Sequence, residues 1–370
     1  MNLSYWEYKT WLSNIDFTVV GSGIVGLNCA LHLKKRFPKA KILVLEKGVL
    51  PQGASTKNAG FACFGSISEV LSDLKTHTEA EVIQLVQKRW DGIQLLRKNL
   101  GDVSINYQNH GGHEVFLDHQ TELYENCLSN LEMVNLFLKP VFGDEPFIKH
   151  KNTFNFKNSQ ENYITSNFES QIDTGRMMAT LLGLVQSKGV TILNSINVVD
   201  YIETMEGVSV KTNLFEFKTR KLIVATNGFA AKLIHEDIQP ARAQVLITKP
   251  IQNLHIKGTF HLDEGYYYFR NVENRVLFGG GRNLDFKTEE TTVFGETTLI
   301  QNRLELMLKD IILPNITFEI DQRWSGIMGI GKQKRPIIKQ ISTHVYCGIR
   351  LGGMGIAIGS IVGKELADLV

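Results

Sequence analysis

Gly21, Gly23 and Gly26 stand in the spacing G-x-G-x-x-G within "FTVVGSGIVGLNCALHL". A β-branched run stops at Gly21, and apolar residues at helical spacing follow (Val25, Leu27, Ala30, Leu31, Leu33). At such a strand–turn–helix junction the first glycine permits the tight turn. The second lets a pyrophosphate approach the backbone, and the third lets helix and strand pack closely. The helix N-terminus offers unpaired N–H groups and a positive dipole to the phosphates. Glu46 ends the next apolar run, "KILVLE", 20 residues after Gly26. A carboxylate there accepts from ribose hydroxyls and disfavours a 2′-phosphate. The chemistry implied is adenine-dinucleotide binding.

Two other stretches bear on which dinucleotide. Soon after Glu46 comes "GASTKNAGFACFGS" (53–66), dominated by small residues, where a nicotinamide enzyme would continue its alternating βα pattern. Near the end stands "IRLGGMGIAIG" (349–359), a second glycine turn before a helix. Two glycine-rich backbone sites separated by most of the chain suit a cofactor embraced along its whole length, as FAD is held. A flexible linker is the plain alternative for 53–66. Its place, where an FAD molecule would lead from adenosine toward the flavin ring, gives the low bulk a reason that linker composition does not supply. Ser55 and Thr56 can offer hydroxyls and N–H groups to the pyrophosphate, and Ala59, Gly60 and Ala62 leave room for a flat ring.

Composition excludes other classes. The chain has 370 residues, 43% hydrophobic and 21% charged, enough for more than one domain-sized unit. Its 40 basic and 38 acidic residues leave a net charge of +2, with no excess to hold a polyanion, so no nucleic-acid partner is expected. The locally basic "KHKNTFNFK" (149–157) reads as a solvated face. Cys29, Cys63, Cys127 and Cys347 stand alone, with no CxxC pair and no metal-ligand spacing. No metal is expected, and the cysteine usage fits a reducing compartment. The first residues lack the apolar core and cleavage site of a signal peptide, and no run approaches the roughly 18–20 apolar residues of a membrane span. The expected location is cytoplasmic.

The elements that must position these groups follow from periodicity. Residues 16–48 read as strand, helix, strand, a βαβ unit with the helix ending before Pro38. Helices are predicted over 79–100, 120–138 and 173–190, the last leading into the strand "TILN". Residues 139–168 read as polar and irregular. A β-meander over 198–228 ends in the buried strand "KLIVAT". "ARAQVLITKP" and "GYYYFRNVENRVLFGGGRN" read as antiparallel strands, "TTLIQNRLELMLKDII" as helical, and the end as strand, glycine turn, helix. βαβ-type pieces at the start, middle and end predict an α/β fold: a Rossmann-like FAD-binding domain assembled from discontinuous segments, plus an α+β substrate domain with an antiparallel sheet. The expected division is 1–75, 165–235 and 325–370 for the first, and 76–164 and 236–324 for the second.

"VVGSGIVGLNCALHL…VLEKG…GASTKNAGFACFG" resembles the amino-terminal part of the D-amino-acid oxidase-like FAD oxidoreductase family, which includes glycine oxidase, sarcosine oxidase, D-amino-acid dehydrogenase and gamma-glutamylputrescine oxidase. "KLIVATNGFA" (221–230), "ARAQVLIT" (241–248) and "RWSGIMGIGKQKRPII…YCGIRLGGMGIAIG" extend the resemblance over most of the chain. By position, it implies FAD contacts from Gly21, Ser22, Gly23, Ile24, Val25, Gly26, Glu46 and Lys47. It implies more from Ser55, Thr56, Asn58, Ala59, Gly60 and Phe61, with Ala62 close by. Val198 or Val199 would hold the adenine through backbone groups. Ala225, Thr226 and Gly228 would line the dinucleotide, and Gly352, Gly353, Met354, Gly355 and Ile356 would approach the pyrimidine side of the flavin.

The resemblance implies an amine or amino-acid oxidoreductase: a small C–N substrate loses hydride to flavin N5, giving an imine, and oxygen or a quinone takes the electrons. Within the same fold, an oxidase of a modified tRNA base and a non-catalytic flavoprotein are the alternatives. The family's glycine and D-amino-acid oxidases place a carboxylate-clamping Arg shortly after "W-x-G"; here Met328 stands about there. Arg270, Arg282 and Arg350 are alternative clamps. Tyr266 and Tyr268, sharing one face of a strand with Tyr267 opposite, are candidate substrate contacts together with Arg350, and plain sheet packing explains the tyrosine pattern equally. His110, His113 and His261 read as turn or surface histidines, and Cys63 as a small buried filler. No Cys lies between Cys127 and Cys347, so the FAD is expected to be non-covalent. A Gly60→Val substitution should sharply lower the flavin content of the purified protein.

Overall fold

A computed structural model describes residues 2–370. The β-branched run Ile15–Val20 forms the centre of the first sheet, with apolar neighbours on both sides. It pairs in parallel with Ile42–Leu45 and with Glu216–Val224, so that Val20 lies beside both Leu45 and Val224. Thr191–Leu193 extends the parallel set beyond Ile42–Leu45, and Val345–Ile349 extends it beyond Glu216–Val224. Ile337–Gln340 closes one edge, and the meander Val198–Thr204 and Gly207–Thr212 adds antiparallel strands, eight in all among the described residues. Burial on both faces explains why these strands read as continuous apolar runs.

Among the described residues, four helices pack in the core over one face, Thr174–Ser187 being one of them. Ile24–Arg36 crosses the carboxy-terminal helix Gly355–Leu369 closely, because Gly359 and Gly363 leave room for Ile24 and Asn28. The long helix Glu79–Leu100 meets the same carboxy-terminal helix at Gly92, where a Cβ would stand 2.0 Å from the Ala357 carbonyl. Ser360 Oγ donates to the Gly92 carbonyl at this crossing. Small residues here let the helices approach along their backbones.

The second sheet also has eight strands among the described residues, in the spatial order Ile320–Ile330, Gln239–Thr248, Arg275–Gly280, Tyr267–Val272, Thr259–Leu262, Gly112–Glu114, Asn162–Ser166 and Phe147–Lys151. All neighbours are antiparallel except Thr259–Leu262 with Gly112–Glu114. Phe260 and Phe269 stack 4.5 Å apart at its centre, and the helix Thr298–Met307 packs in the same core. A short pairing of Phe61–Ala62 with Ser170–Gln171 ties the small-residue segment to the chain entering the helix Thr174–Ser187. The architecture is the mixed α/β fold expected, with a largely parallel sheet and a largely antiparallel one.

Several expectations change. Residues 139–168 contain the strands Phe147–Lys151 and Asn162–Ser166. The first is a Lys-rich edge strand, exposed beyond Phe147, so it shows no apolar alternation. The helix expected over 120–138 is two, Thr121–Ser129 and Leu131–Phe142, broken at Asn130. Both the 164/165 and the 324/325 boundaries fall inside strands of the second sheet. Among the described residues no helix is long and apolar enough to cross a membrane.

The second sheet is anchored by a buried ion pair. Glu289 is fully buried and accepts from Arg242 Nε (2.9 Å), Arg242 Nη2 (2.8 Å) and Gln244 Nε2 (2.9 Å). It holds the loop that carries Thr292, Val293 and Phe294. Removing one partner of such a pair strands the other charge, so Glu289→Ala should lower unfolding free energy by about 3–5 kcal/mol. A urea-denaturation midpoint unchanged from wild type would refute that.

Candidate functional site

A cavity of about 900 Å³ opens along the carboxyl ends of the parallel strands and continues to the second sheet. Its first end is the glycine junction. Gly21 has φ +103°, and a Cβ there would stand 2.9 Å from the Ala225 carbonyl. The helix Ile24–Arg36 has Gly23 at its N-cap and no side-chain cap on it. Among the described residues only Ser55 Oγ reaches in, accepting from the Ile24 N–H at 3.0 Å. The remaining first-turn donors are free for an anion. Glu46 lies in the same wall. Its Oε2 accepts from Ser22 N–H (3.1 Å) and Ser22 Oγ (2.7 Å), and its Oε1 from the Gly48 N–H (2.9 Å), so the carboxylate is oriented before any ligand arrives.

Most residues expected at the cofactor line this cavity, Val25, Lys47, Ala59, Ala225 and Thr226 among them. Six do not: Ser22, Gly26, Thr56, Ala62, Val199 and Gly228. Ser22 is buried beneath Glu46. A Cβ on Gly26 would stand 2.0 Å from the Gly21 carbonyl, so this glycine serves helix–strand contact. Thr56 Oγ1 donates to the Pro51 carbonyl (2.7 Å), and Ala62 lies in its strand pair. Gly228 backs onto the Met328 carbonyl, 2.4 Å from where its Cβ would be. Of the two valines left open, Val198 faces the cavity and Val199 is exposed on the outside.

The small-residue segment is held by its own bonds as well as lining the cavity. Asn58 Oδ1 accepts from the Gly60 N–H (2.8 Å) and Thr174 Oγ1 (2.9 Å), while Asn58 Nδ2 donates to the Ser55 carbonyl (2.8 Å). Gly60 has φ +74°, and a Cβ would stand 2.4 Å from the Ile172 carbonyl. Its lack of bulk is therefore demanded by the protein backbone, and Gly60→Val would lower flavin content by disturbing the fold. The carboxy-terminal glycines differ. At Gly352, Gly353 and Gly355 a Cβ would meet nothing within 4 Å. They line open space at the N-terminus of the helix Gly355–Leu369, beside Met354 and Ile356. Two helix N-termini thus converge on one cavity, with an oriented carboxylate at one end, and these residues fit the expected dinucleotide.

The far end is walled by the second sheet. Tyr266 and Tyr268 line it with Phe61, whose ring meets Tyr268 edge-on at 5.7 Å, while Tyr267 points into the core. Burial pushes the Tyr268 hydroxyl up to about 12, so it stays protonated. The three candidate clamps separate. Arg350 reaches the cavity wall, but its guanidinium is held by Asp237 (3.0 Å) and the Arg335 carbonyl (3.0 Å). Arg270 does not line the cavity; it lies behind Gly60, donates to the Ile172 carbonyl (2.9 Å), and burial lowers it to about 10. Arg282 lines the cavity with its guanidinium over Phe286 (4.7 Å) and no ion pair. Met328 lines it too.

Three groups were missed. His113 and His261 lie buried in strands; only His110 is exposed. His261 lines the cavity and pairs with buried Glu169, Nε2 to Oε2 at 2.9 Å. Burial alone would lower its pKa, but the charge and hydrogen bond of Glu169, helped by Glu69 and Glu114, raise it to about 9. Cys63 is buried and also lines the cavity. The donor atoms of Cys63, Glu169 and His261 lie within 4.8 Å of one another, although nothing in their spacing along the chain suggests it. One signal was legible for His261: across the turn to "GYYYFR", His261 pairs with Tyr268, which puts both on one face.

Comparison with known proteins accords with this geometry. The profile of the DAO family, described as FAD dependent oxidoreductase, matches residues 16–369. A probable oxidoreductase, OrdL, from Haemophilus influenzae is 24% identical, covering 98% of this chain and 84% of that protein. The crystal structure of glycine oxidase from Geobacillus kaustophilus superposes with a TM-score of 0.77 at 19% identity, covering 96% of this chain and 94% of that one. L-Proline dehydrogenase from P. horikoshii gives 0.74 at 18% identity, covering 96% and 93%. Iminodiacetate oxidase from Chelativorans sp. BNC1 gives 0.72 at 17% identity, covering 95% and 94%. At these identities the structural likenesses establish the fold.

The two glycine clusters should respond differently to a side chain. A Cβ at Gly353 meets no protein atom within 4 Å, so Gly353→Val should leave circular dichroism unchanged while weakening FAD binding by about tenfold or more, on the order of 1.4 kcal/mol. Gly26→Val drives a side chain into the Gly21 carbonyl and should prevent folding. Flavin-to-protein ratios after gel filtration decide between them, and a Gly353→Val protein with full flavin content would place the cofactor elsewhere.

Proposed function

Because the chain belongs to the FAD dependent oxidoreductase family, we propose that it oxidises the C–N bond of a small amino acid or amine to an imine. The observation that carries this reading is the continuity of the cavity. One space runs from the glycine junction and Glu46 to a wall of Phe61, Tyr266, Tyr268 and Arg282 on the second sheet. FAD, when bound, supplies the hydride acceptor, and the protein supplies orientation and electrostatics. Gly21, Gly23 and the first turn of Ile24–Arg36 would receive the pyrophosphate, and Glu46 the ribose. Gly352, Gly353 and the first turn of Gly355–Leu369 would receive the polar edge of the ring system. Cys63 is the cysteine lining the cavity, and burial together with Glu169 and Glu69 pushes its thiol well above the usual range. A thiol so held stays protonated and unreactive, which supports non-covalent attachment.

The substrate's own contacts follow from what remains unpaired. Among the described residues, Arg282 is the cavity-lining arginine with neither an ion pair nor a side-chain hydrogen-bond partner, so it would hold a substrate carboxylate. Arg350 and Arg270 are occupied elsewhere. Tyr268 and Phe61 would exclude water from the reacting carbon, and a substrate so held presents one C–H bond to its acceptor. Oxygen or a quinone would reoxidise the cofactor.

Anaerobic mixing of the FAD-loaded protein with glycine, N-methylated and D-amino acids, and carboxylate-free amines tests this reading. We expect bleaching of the visible flavin absorbance by at least one amino acid. For it, Arg282→Met should raise KM by about 10–100-fold with kcat changed far less. A flavin that none of these compounds bleaches would refute the function; a preference for carboxylate-free amines would refute the role of Arg282.

A further inference from the structure

His261 and Glu169 form a buried pair whose position in the reaction cavity the binding of cofactor and carboxylate leaves unexplained. His261 sits on the strand Thr259–Leu262, its ring edge-on to Phe61 at 5.4 Å. Its Nε2 bonds Glu169 Oε2 at 2.9 Å, and Nδ1 bonds no group among the described residues. The carboxylate fixes the imidazole proton on Nε2, which leaves Nδ1 as the accepting nitrogen. The other oxygen of Glu169, Oε1, is buried without a partner. Space for this carboxylate depends on Gly112, where a Cβ would stand 1.9 Å from Oε2. The chain thus keeps a glycine on a neighbouring strand so that a carboxylate can back the histidine.

We propose that His261, held by Glu169, takes the proton from the substrate's ammonium group before the C–H bond breaks. This rests on the reading that an amine is oxidised in this cavity. In the step, one N–H bond of the ammonium breaks, its electron pair stays on nitrogen, and the proton passes to His261 Nδ1. The products are a neutral amine and an imidazolium paired with Glu169. FAD, when bound, would supply the two-electron acceptor for the α-hydrogen as hydride, and water would hydrolyse the imine. His261 is the catalytic residue and Glu169 the positioning residue that fixes its tautomer and stabilises the imidazolium, the division of labour of a carboxylate–imidazole pair.

The charged surroundings of His261 are of both signs. Glu114 faces it from the adjoining strand Gly112–Glu114 and is itself raised to about 7, by burial above all, against the bonds from Ser68. Glu69 acts from the helix Ile67–Leu74 and Glu169 from the turn before Ser170. Tyr268 stands opposite on the next strand and Cys63 beside Glu169, both raised by burial and so protonated. Arg89, donating to the Phe64 carbonyl, is the cation in the same wall, and His113 on the strand below is lowered to about 3 and so neutral. With His261 raised to about 9, the pair accepts a proton only in its deprotonated fraction. Flavin reduction at saturating substrate should therefore rise roughly tenfold per pH unit below about 9 and level above it.

Three FAD-loaded variants, His261→Gln, Glu169→Gln and His261→Ala, test the proposal against wild type. In histidine-labelled protein, nuclear magnetic resonance should show one imidazole titrating near pH 9, absent in H261Q and moved down by about a unit or more in E169Q. In stopped flow, H261Q should reduce its flavin about 100-fold more slowly at unchanged flavin content, with the levelling near pH 9 lost. Added imidazole should restore part of the rate in H261A. The proposal is overturned if no imidazole titrates above neutrality, or if H261Q keeps the wild-type rate and pH profile. Stoichiometric zinc retained by wild type and lost from H261Q would overturn it as well. A wild type reduced by an amine alongside an equally fast H261Q overturns this proposal alone. A wild type that no amine reduces overturns the oxidase reading and this step with it.

Discussion

The contact between Gly26 and the Gly21 carbonyl constrains everything that follows it. A Cβ at position 26 would lie 2.0 Å from that oxygen, so the helix Ile24–Arg36 can leave its strand in this one direction only because no side chain intervenes. That direction sends the helix N-terminus to the carboxyl ends of the parallel strands, between the diverging neighbours Ile42–Leu45 and Glu216–Val224. In open parallel sheets this crevice is where ligands bind. The carboxy-terminal helix then packs against Ile24–Arg36 through Gly359 and Gly363, which brings its own N-terminus to the same space. Two positive helix ends, some 330 residues apart along the chain, face one cavity because glycine lets two pairs of backbones touch.

Charge is distributed in this cavity by pairing most of it away. Arg242 is spent on Glu289 and Arg350 on Asp237, and both pairs hold segments that form the walls. Among the described residues, Arg282, beside Tyr266 and Phe286, stays without an ion pair, as do the lining lysines Lys47, Lys57 and Lys232. The buried imidazole–carboxylate pair is a second polar feature at that end, near Glu69 and Arg89. On the proposed reading, Arg282 and the backed imidazole would meet the two ends of an amino acid, the carboxylate at the guanidinium and the amine at the imidazole. The aromatic rings of that wall would limit the water that screens both interactions.

Much of the first half of the site was legible in sequence because its requirements are local. A tight turn, a close helix–strand approach and a carboxylate at a strand end each constrain a few adjacent residues, so Gly21, Gly23 and Glu46 declare themselves by type and spacing. Periodicity likewise marks the strands and helices of the parallel sheet, buried on both faces. It failed at Phe147–Lys151, where an exposed edge carries lysines, and at Asn130, where one apolar period spans two helices. It also misjudged Gly60: small size there reflects the Ile172 carbonyl, from a segment more than a hundred residues away.

The chain alone therefore determined the fold class, the cofactor class and the glycine turn at the first helix N-terminus, since these rest on interactions between near neighbours. It could not rank three arginines, because a guanidinium's availability depends on partners such as Asp237, more than a hundred residues before Arg350. Nor could it find His261 and Glu169, 92 residues apart, because an imidazole in a strand looks alike whether it faces water or a buried carboxylate. Only the tertiary structure decided those, by choosing which charges are buried together and which are left to meet a ligand.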